Sequence, residues 1–530
     1  MTLLYLTDDC FYYTLQYLKN DCSTLFNCLL VNRFWCKTTI PFLYANPFTK
    51  ISKKNHLIIS TIIFCFNKEE ILQLKKQFNN INIDEEHKPL FEYLKYLEDY
   101  NHFKIDSTII SYYSGLSISC NKIYNNIIPI FHKSILRQSK NIKQLSISLN
   151  LFYMYKLCEN GKENVVYKES FKNFNIQNFI SNLTKLNSLS FYLNGAIDNE
   201  IEQEFLRCIA NFSLNLRRLI INLNQTSGRL LVKPTYKYDT TITWEYLYKI
   251  IQGQNKLKIF KIWNCYSLLN NILSSLEFQK HSLVHIEFKN TNFINVNLKS
   301  FNNLYNLEYL KFNHCEGILL NQCEFLSFKL KELSFRRNIW NADVTSLMIK
   351  YLGASLQRLI IIENLSNHFI ENISMYCPNL IFLELRICLY TINLSMLAFL
   401  KNLRLNIIIS YNINTTFFIN LANINVSKIS IYIYPYVSNR FLKFKGFLEN
   451  CHNSFEMINL NHTIELEFLK IVLNYIERSN NNSLKIFGMM NLDKELNDEE
   501  LKLLNQIKAK GVRIMEFNSI HCLKTKGYYN

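Results

Sequence analysis

A short hydrophobic pattern recurs along most of this chain. It reads apolar, two variable residues, apolar, one variable, apolar, two variable, then Asn, Cys or Thr. It occurs as Ile142-Leu145-Ile147-Asn150, Leu186-Leu189-Phe191-Asn194, Leu216-Leu219-Ile221-Asn224 and Leu257-Phe260-Ile262-Cys265. It continues as Leu283-Ile286-Phe288-Thr291, Leu307-Leu310-Phe312-Cys315, Leu330-Leu333-Phe335-Asn338, Leu356-Leu359-Ile361-Asn364 and Leu380-Leu383-Leu385-Cys388. Looser copies follow at Leu403-Leu405, Val426-Ile429-Ile431, Phe455-Ile458-Leu460, Leu484-Phe487-Met489 and Val512-Met515-Phe517. From Leu257 to Leu403 the spacing is roughly 23 to 26 residues, a solenoid period. The alternating apolar pair predicts one short strand per unit with a buried inner face. The ninth position falls where the backbone leaves the strand, and an Asn amide or a Cys thiol there can satisfy backbone groups.

Between strands the period changes to that of a helix. Ile201, Phe205, Ile209 and Phe212 form one stripe, and Val344, Leu347 and Tyr351 another. Asp498 is placed to cap a run through Leu501, Leu504 and Ile507, which Gly511 ends. Such units cannot bury their apolar faces alone, so they stack. Upstream, segments 54–66, 68–78, 88–100 and 122–136 read as amphipathic helices, with Pro89 in the first turn of the third. They form a connector that caps the open end of the stack. In residues 1–48, Phe11, Leu15 and Leu18 lie at helical spacing after Thr7, Asp21 restarts a helix, and a third segment opens at Val31. Three helices in about 45 residues bury little apolar area and need a neighbour.

The repeat, over about residues 140 to 525, resembles the leucine-rich-repeat family, closest to its cysteine-containing and ribonuclease-inhibitor-like forms. The implied fold is α/β: a leucine-rich-repeat solenoid, with a curved parallel sheet and outer helices. Proteins of that family bind partners on the concave sheet. The first 48 residues, LTDDCFYYTLQYL through CLLVNRFWCKTTIPFLYANPF, resemble an F-box. Leu6, Asp9, Leu18, Val31, Asn32, Arg33, Trp35 and Cys36 match its pattern, while Thr7 and Asp9 replace the usual Pro and Glu. The layout is similar to that of fungal F-box and repeat proteins. The boundaries are therefore 1–48 F-box-like helices, 49–140 helical connector and 141–530 solenoid. The resemblance implies a Skp-type adaptor and cullin complex as partners, with Leu6, Asp9, Phe11, Leu15, Leu18, Val31, Arg33 and Trp35 as adaptor-binding residues.

Composition alters this picture little. Lys and Arg total 59 against 42 Asp and Glu, a formal charge of +17. Only 11 Gly and 7 Pro exclude collagen-like and Pro-rich chains. Asn, Ile, Lys, Tyr and Phe are abundant, and all have AT-rich codons. The N-terminus lacks the basic and apolar regions of a secretory signal, and the apolar stretch at 56–66 is too short to span a bilayer. The 15 Cys then read as reduced thiols in cytoplasm or nucleus. There is no C-x-x-C, H-E-x-x-H, G-x-G-x-x-G or G-x-S-x-G, so catalytic, cofactor and metal sites are not expected.

The variable strand positions point away from the core. One row reads Trp263, Lys289, Asn313, Arg336, Ile362 and Arg386, and its neighbour Lys261, Glu287, Lys311, Ser334, Ile360 and Glu384. The expected target site is Lys261, Trp263, Lys289, Lys311, Arg336 and Arg386, suited to an acidic or phosphorylated segment. The expected function is target recognition in a Skp–cullin–F-box ubiquitin ligase. The alternatives are a plain interaction scaffold or a basic nucleic-acid-binding solenoid; the latter is disfavoured because no Arg-rich run or RNA-binding aromatic motif exists.

Overall fold

The structure, a computed structural model, describes residues 8–19, 21–48, 55–77, 89–148, 182–193, 199–223, 241–266, 269–323, 326, 328–363, 367–387, 394, 397, 400, 403–410, 413–422, 424, 426–451, 455–478 and 483–520. Leu6 and Thr7, and the expected turn residues Asn150, Asn194, Asn224, Asn364 and Cys388, lie outside them. The chain divides into two compact units, Met1–Leu283 and Val284–Asn530.

The first unit opens with three helices, α1 (Asp8–Leu18), α2 (Cys22–Leu29) and α3 (Arg33–Tyr44). Its strands are β1 (Asp99–Asn101), β2 (Gln144–Ser148), β3 (Ser188–Tyr192), β4 (Arg218–Asn222) and β5 (Ile259–Trp263). Each pairs in parallel with the next in chain order. The second unit continues in the same manner. Its strands are β6 (His285–Lys289), β7 (Tyr309–Asn313), β8 (Glu332–Arg336), β9 (Arg358–Ile362), β10 (Phe382–Ile387), β11 (Arg404–Ile409), β12 (Lys428–Ile433), β13 (Met457–Thr463), β14 (Ile486–Met490) and β15 (Arg513–Glu516). These too pair in parallel, in sequence order. Each unit thus has leucine-rich-repeat architecture. The inner residues are buried as the pattern requires, for example Leu310 and Phe312, or Leu333 and Phe335. Helices pack on that face: Phe468, from the helix Leu466–Arg478, lies 6.3 Å from Phe487 of β14.

Strand starts share one device. The carbonyl of the residue before a strand accepts two successive N–H groups from the next strand's start. Glu98 accepts from Lys143 and Gln144, Lys143 from Asn187 and Ser188, and Asn187 from Arg217 and Arg218. Val284, Glu308, Lys331 and Gln357 do the same in the second unit. The first member of the series does not precede a strand. The Ala45 carbonyl, just past α3, accepts from Glu98 and Asp99 at 2.9 and 3.1 Å. Asn46 donates to Asp99 at 2.8 Å, and the Tyr44 ring lies tilted against that of Tyr93, with centroids 4.6 Å apart. The three small helices are therefore anchored to the first strand, which supplies the neighbour they need.

Strand exits share a second device. Asn264, Asn290, His314, Arg337 and Asn491 each follow a strand and have φ between 50° and 59°. Asn tolerates this left-handed conformation better than most residues, because its short amide can bond locally. The ninth-position residue then links successive repeats. Asn338 accepts from the Cys315 N–H at 2.9 Å and donates to the Phe312 carbonyl at 3.3 Å. Cys315 contacts the Phe288 and Asn313 carbonyls through sulfur. Burial pushes its thiol up to about 12, so it is a packing group rather than a nucleophile.

Four expectations need correction. Of the expected helix 88–100, the described residues 89–100 form no long helix; they hold a 3₁₀ turn, Tyr93–Tyr96, followed by β1. Leu94, Leu97 and Tyr100 are all buried, and a spacing of three fits a helix as well as this turn-plus-strand. The sheet thus begins inside the stretch read as helical connector. In β15, Ile514 and not Met515 aligns with Phe487, and Phe517 lies beyond the strand. The helix Ala342–Leu352 buries Val344, Met348, Ile349 and Leu352 and exposes Tyr351. The last long helix is capped by Asn497 in a capping box with Glu500, one residue before Asp498.

Arg337 is exposed, so its left-handed backbone is the main thing a substitution there changes. Arg337→Gly is expected to stabilise the protein by about 1 kcal/mol, and Arg337→Val to destabilise it by a similar or larger amount. Urea unfolding midpoints of the two variants should move in opposite directions.

Candidate functional site

The first surface is built on the N-terminal helices. Asp21 caps α2 by accepting from the Thr24 N–H and hydroxyl, at 3.1 and 2.7 Å. Asn32 caps α3 by accepting from the Trp35 N–H at 3.0 Å. The Asn of the VNRFWC segment thus sets where α3 begins. Leu15, Leu25 and Cys28 form the small core, with Leu18, Trp35, Phe42 and Leu43 packed against it. Leu15 is fully buried, so it holds the helices together and does not itself reach a partner. Trp35 is half-buried edge-on to Phe11 at 4.9 Å, and Phe11 also meets Phe34 at 5.3 Å. Asp9 and Arg33 are exposed.

These helices leave much apolar surface in solvent. Leu30 is 75% exposed, Val31 59% and Tyr17 90%. Tyr12, Tyr13, Phe26 and Phe34 are exposed as well. Exposed apolar groups at this density mark an interaction surface. Of the residues expected to bind an adaptor, Val31 is exposed, and Phe11 and Trp35 are partly so. Leu30, Phe34 and the three tyrosines are not among the residues the sequence pointed to. Hydrophobicity next to a turn, as at Leu30-Val31, was the available signal.

The second surface is the sheet face turned away from the helices. In the first unit Lys261 and Trp263 lie there, both half-buried on β5. Trp263 meets Tyr192 of β3 at 6.3 Å, and Tyr192 meets Phe103 at 4.7 Å. His102 adjoins Phe103, with Nδ1 3.2 Å from the Ser146 carbonyl. Burial brings the His102 ring down to about 4, so it is neutral at physiological pH. Phe103 and Tyr192 were not foreseen because they are far from Trp263 in sequence.

In the second unit two of the expected basic residues, Lys311 and Arg336, face acids. Lys311 pairs with Glu332 at 2.6 Å, and Arg358 pairs with the other Glu332 oxygen at 3.0 Å. Arg336 donates to Glu384 at 3.1 Å, and Arg386 donates to the Ser410 hydroxyl at 2.9 Å. Lys289 is half-buried at the end of β6. Glu332 was missed because it precedes the strand's first inward residue and lies in a third outward row, with Arg358 and Tyr309. This face carries a mixed-charge network rather than a bare basic patch. Among the described residues, no helix is long and apolar enough to cross a membrane.

Burial pushes Glu332 up, but Lys311 and Arg358 outweigh it and hold this carboxyl below its usual range. A depressed carboxylate stabilises the fold above the unfolded value, and that contribution is lost as pH falls through the folded value. Glu332→Gln is therefore expected to cost about 1 to 3 kcal/mol near neutral pH. The gap from wild type should close as pH falls from about 5 toward 3. Urea unfolding of both proteins across that range checks it, and a gap independent of pH would contradict it.

No protein-family model and no curated protein matches the chain. Among solved structures, a leucine-rich-repeat protein of Leptospira interrogans is similar at 14% identity, over 65% of this chain and 86% of that one, with a TM-score of 0.28. The repeat architecture rests on the chain's own parallel strands and their register.

Proposed function

We propose that this chain is the target-recognition subunit of a Skp–cullin–F-box type ubiquitin ligase, working in the cytoplasm or nucleus. The observation that carries the reading is the exposed apolar surface around Leu30, Val31 and Phe34, on helices whose sequence resembles an F-box. A small domain with so little core gains from covering such a surface, and an adaptor would cover it. The Ala45 anchor supports the reading mechanically. A receptor must hold its target at a fixed distance from the adaptor, and α3 is tied directly to β1. Catalysis here is proximity: the ligation chemistry belongs to other subunits, and this chain supplies position. The outward sheet positions of the second unit would hold the target, with Lys289 and Arg386 among the contacts. The paired state of Lys311 and Arg336 favours a target that carries charge of both signs over a simple polyanion.

The test is isothermal titration of the full chain with a purified Skp-type adaptor. Val31→Asp and Phe34→Asp replace solvent-facing residues, so folding should persist, and each is expected to weaken binding at least tenfold, about 1.4 kcal/mol. Lys289→Glu should leave adaptor affinity unchanged. Equal binding by all variants, or none by wild type, would overturn the ligase reading and leave an interaction scaffold.

A further inference from the structure

The outward face of the last strands is closed, and the chain itself closes it. Outward residues on β6 and β7 such as Glu287 and Lys311 are partly exposed, while Ser334 of β8 and Glu384 of β10 are buried beneath neighbouring side chains of the sheet itself. Asn406 of β11, Ser430 of β12 and Asn459 of β13 are 2%, 0% and 0% exposed. After β15 the chain turns back across this face as the short helical turn Phe517–Ile520. Phe517 is fully buried, with its ring 6.0 Å from that of Tyr432 on β12. Its carbonyl accepts from Asn459 Nδ2 at 3.3 Å, and Asn459 also donates to the Ser430 hydroxyl at 3.0 Å. The Ile520 carbonyl accepts from the Arg404 guanidinium on β11. Gly488 of β14 makes room: a Cβ there would stand 2.7 Å from Ile520 Cδ1 and 1.8 Å from Asn459 Oδ1.

A turn that only protected the end of the sheet would cover β15. This one reaches Arg404, four strands inward. Its fixings are those of a peptide complex. Two side-chain donors take backbone carbonyls, which any sequence supplies, and two apolar seats take Phe517 and Ile520, which set specificity.

We propose that the outward face of β11–β14 is a docking seat for a one-turn peptide segment with an aromatic residue and an aliphatic residue three positions later. Phe517–Ile520 is its internal occupant. A tethered occupant competes at an effective concentration in the millimolar range, so a partner must displace it. The seat lies far in sequence from the N-terminal helices and does not depend on the adaptor reading.

The probe is a fluorescein-labelled synthetic peptide of residues 512–520, titrated into the full chain by fluorescence anisotropy. The double variant Phe517→Ala, Ile520→Ala vacates the seat and is expected to bind the peptide at least tenfold more tightly than wild type does. Adding Gly488→Val should abolish that binding, and a peptide with both apolar residues changed to Ala should not bind. A double variant that keeps its native circular dichroism and melting temperature yet ignores the peptide overturns the proposal. Should the double variant fail to fold, hydrogen exchange on wild type decides. Turn amides that exchange well before those of β13 and β14 support a displaceable occupant. Amides that exchange only with them make the turn part of the core and overturn the proposal.

Discussion

The carbonyl before a strand carries the architecture. By accepting one or two N–H groups from the start of the next strand, it fixes where that strand begins and therefore its register. In a parallel sheet one residue of slip would turn every inward side chain outward. The series Ala45, Glu98, Lys143, Asn187, Arg217 fixes the first unit strand by strand. Because Ala45 ends α3, the same constraint that orders the repeats also fixes the small helical domain. The surface around Val31 and the outward positions of β1–β5 are thus parts of one braced unit rather than modules on a loose tether.

Scarce glycine poses a problem that the strand exits solve. The five left-handed exits need a backbone shape glycine would provide cheaply, and with only 11 in the chain other residues stand in. Asn does so at 264, 290 and 491, while His314 and Arg337 do so at a greater cost. The abundance of Asn therefore has a structural use at these turns, whatever codon bias contributes. Turn residue and ninth-position residue divide the work: one bends the chain, and the other bonds the bend to its neighbours, as Asn338 does to Cys315 and Phe312.

The strands were legible because alternation over five residues has only one structural meaning when it recurs at a fixed period. Legibility failed where two meanings share one spacing. Leu94, Leu97 and Tyr100 suit a helix or a 3₁₀ turn leading into a strand, and only the pairing of Tyr100 with Leu145 decides between them. Ile514 and Met515 are adjacent and both apolar, so the register of β15 was set by its neighbour Phe487 and not by its own residues. The candidate surfaces were less legible than the fold. Charges can be counted from sequence, but whether Lys311 meets a ligand or Glu332 depends on a contact across two strands. The same holds for the cluster of Phe103, Tyr192 and Trp263.

The net charge of +17 at first suggests a surface awaiting an anion. On the outward face of β7–β10 that suggestion fails, because buried carboxylates sit among the cations. Burial pushes Glu384 above its usual value despite Arg336, whereas Glu332, with two cations, is held below it. The cations here are partly consumed in keeping acids ionised inside a crowded face. Such a network is a poor sink for diffuse negative charge and a good template for a partner with its own ordered charges, since each new contact must better one already made. A partner docking on either face would have to replace an internal contact, Glu332 at Lys311 or the Ile520 carbonyl at Arg404, rather than fill an empty site.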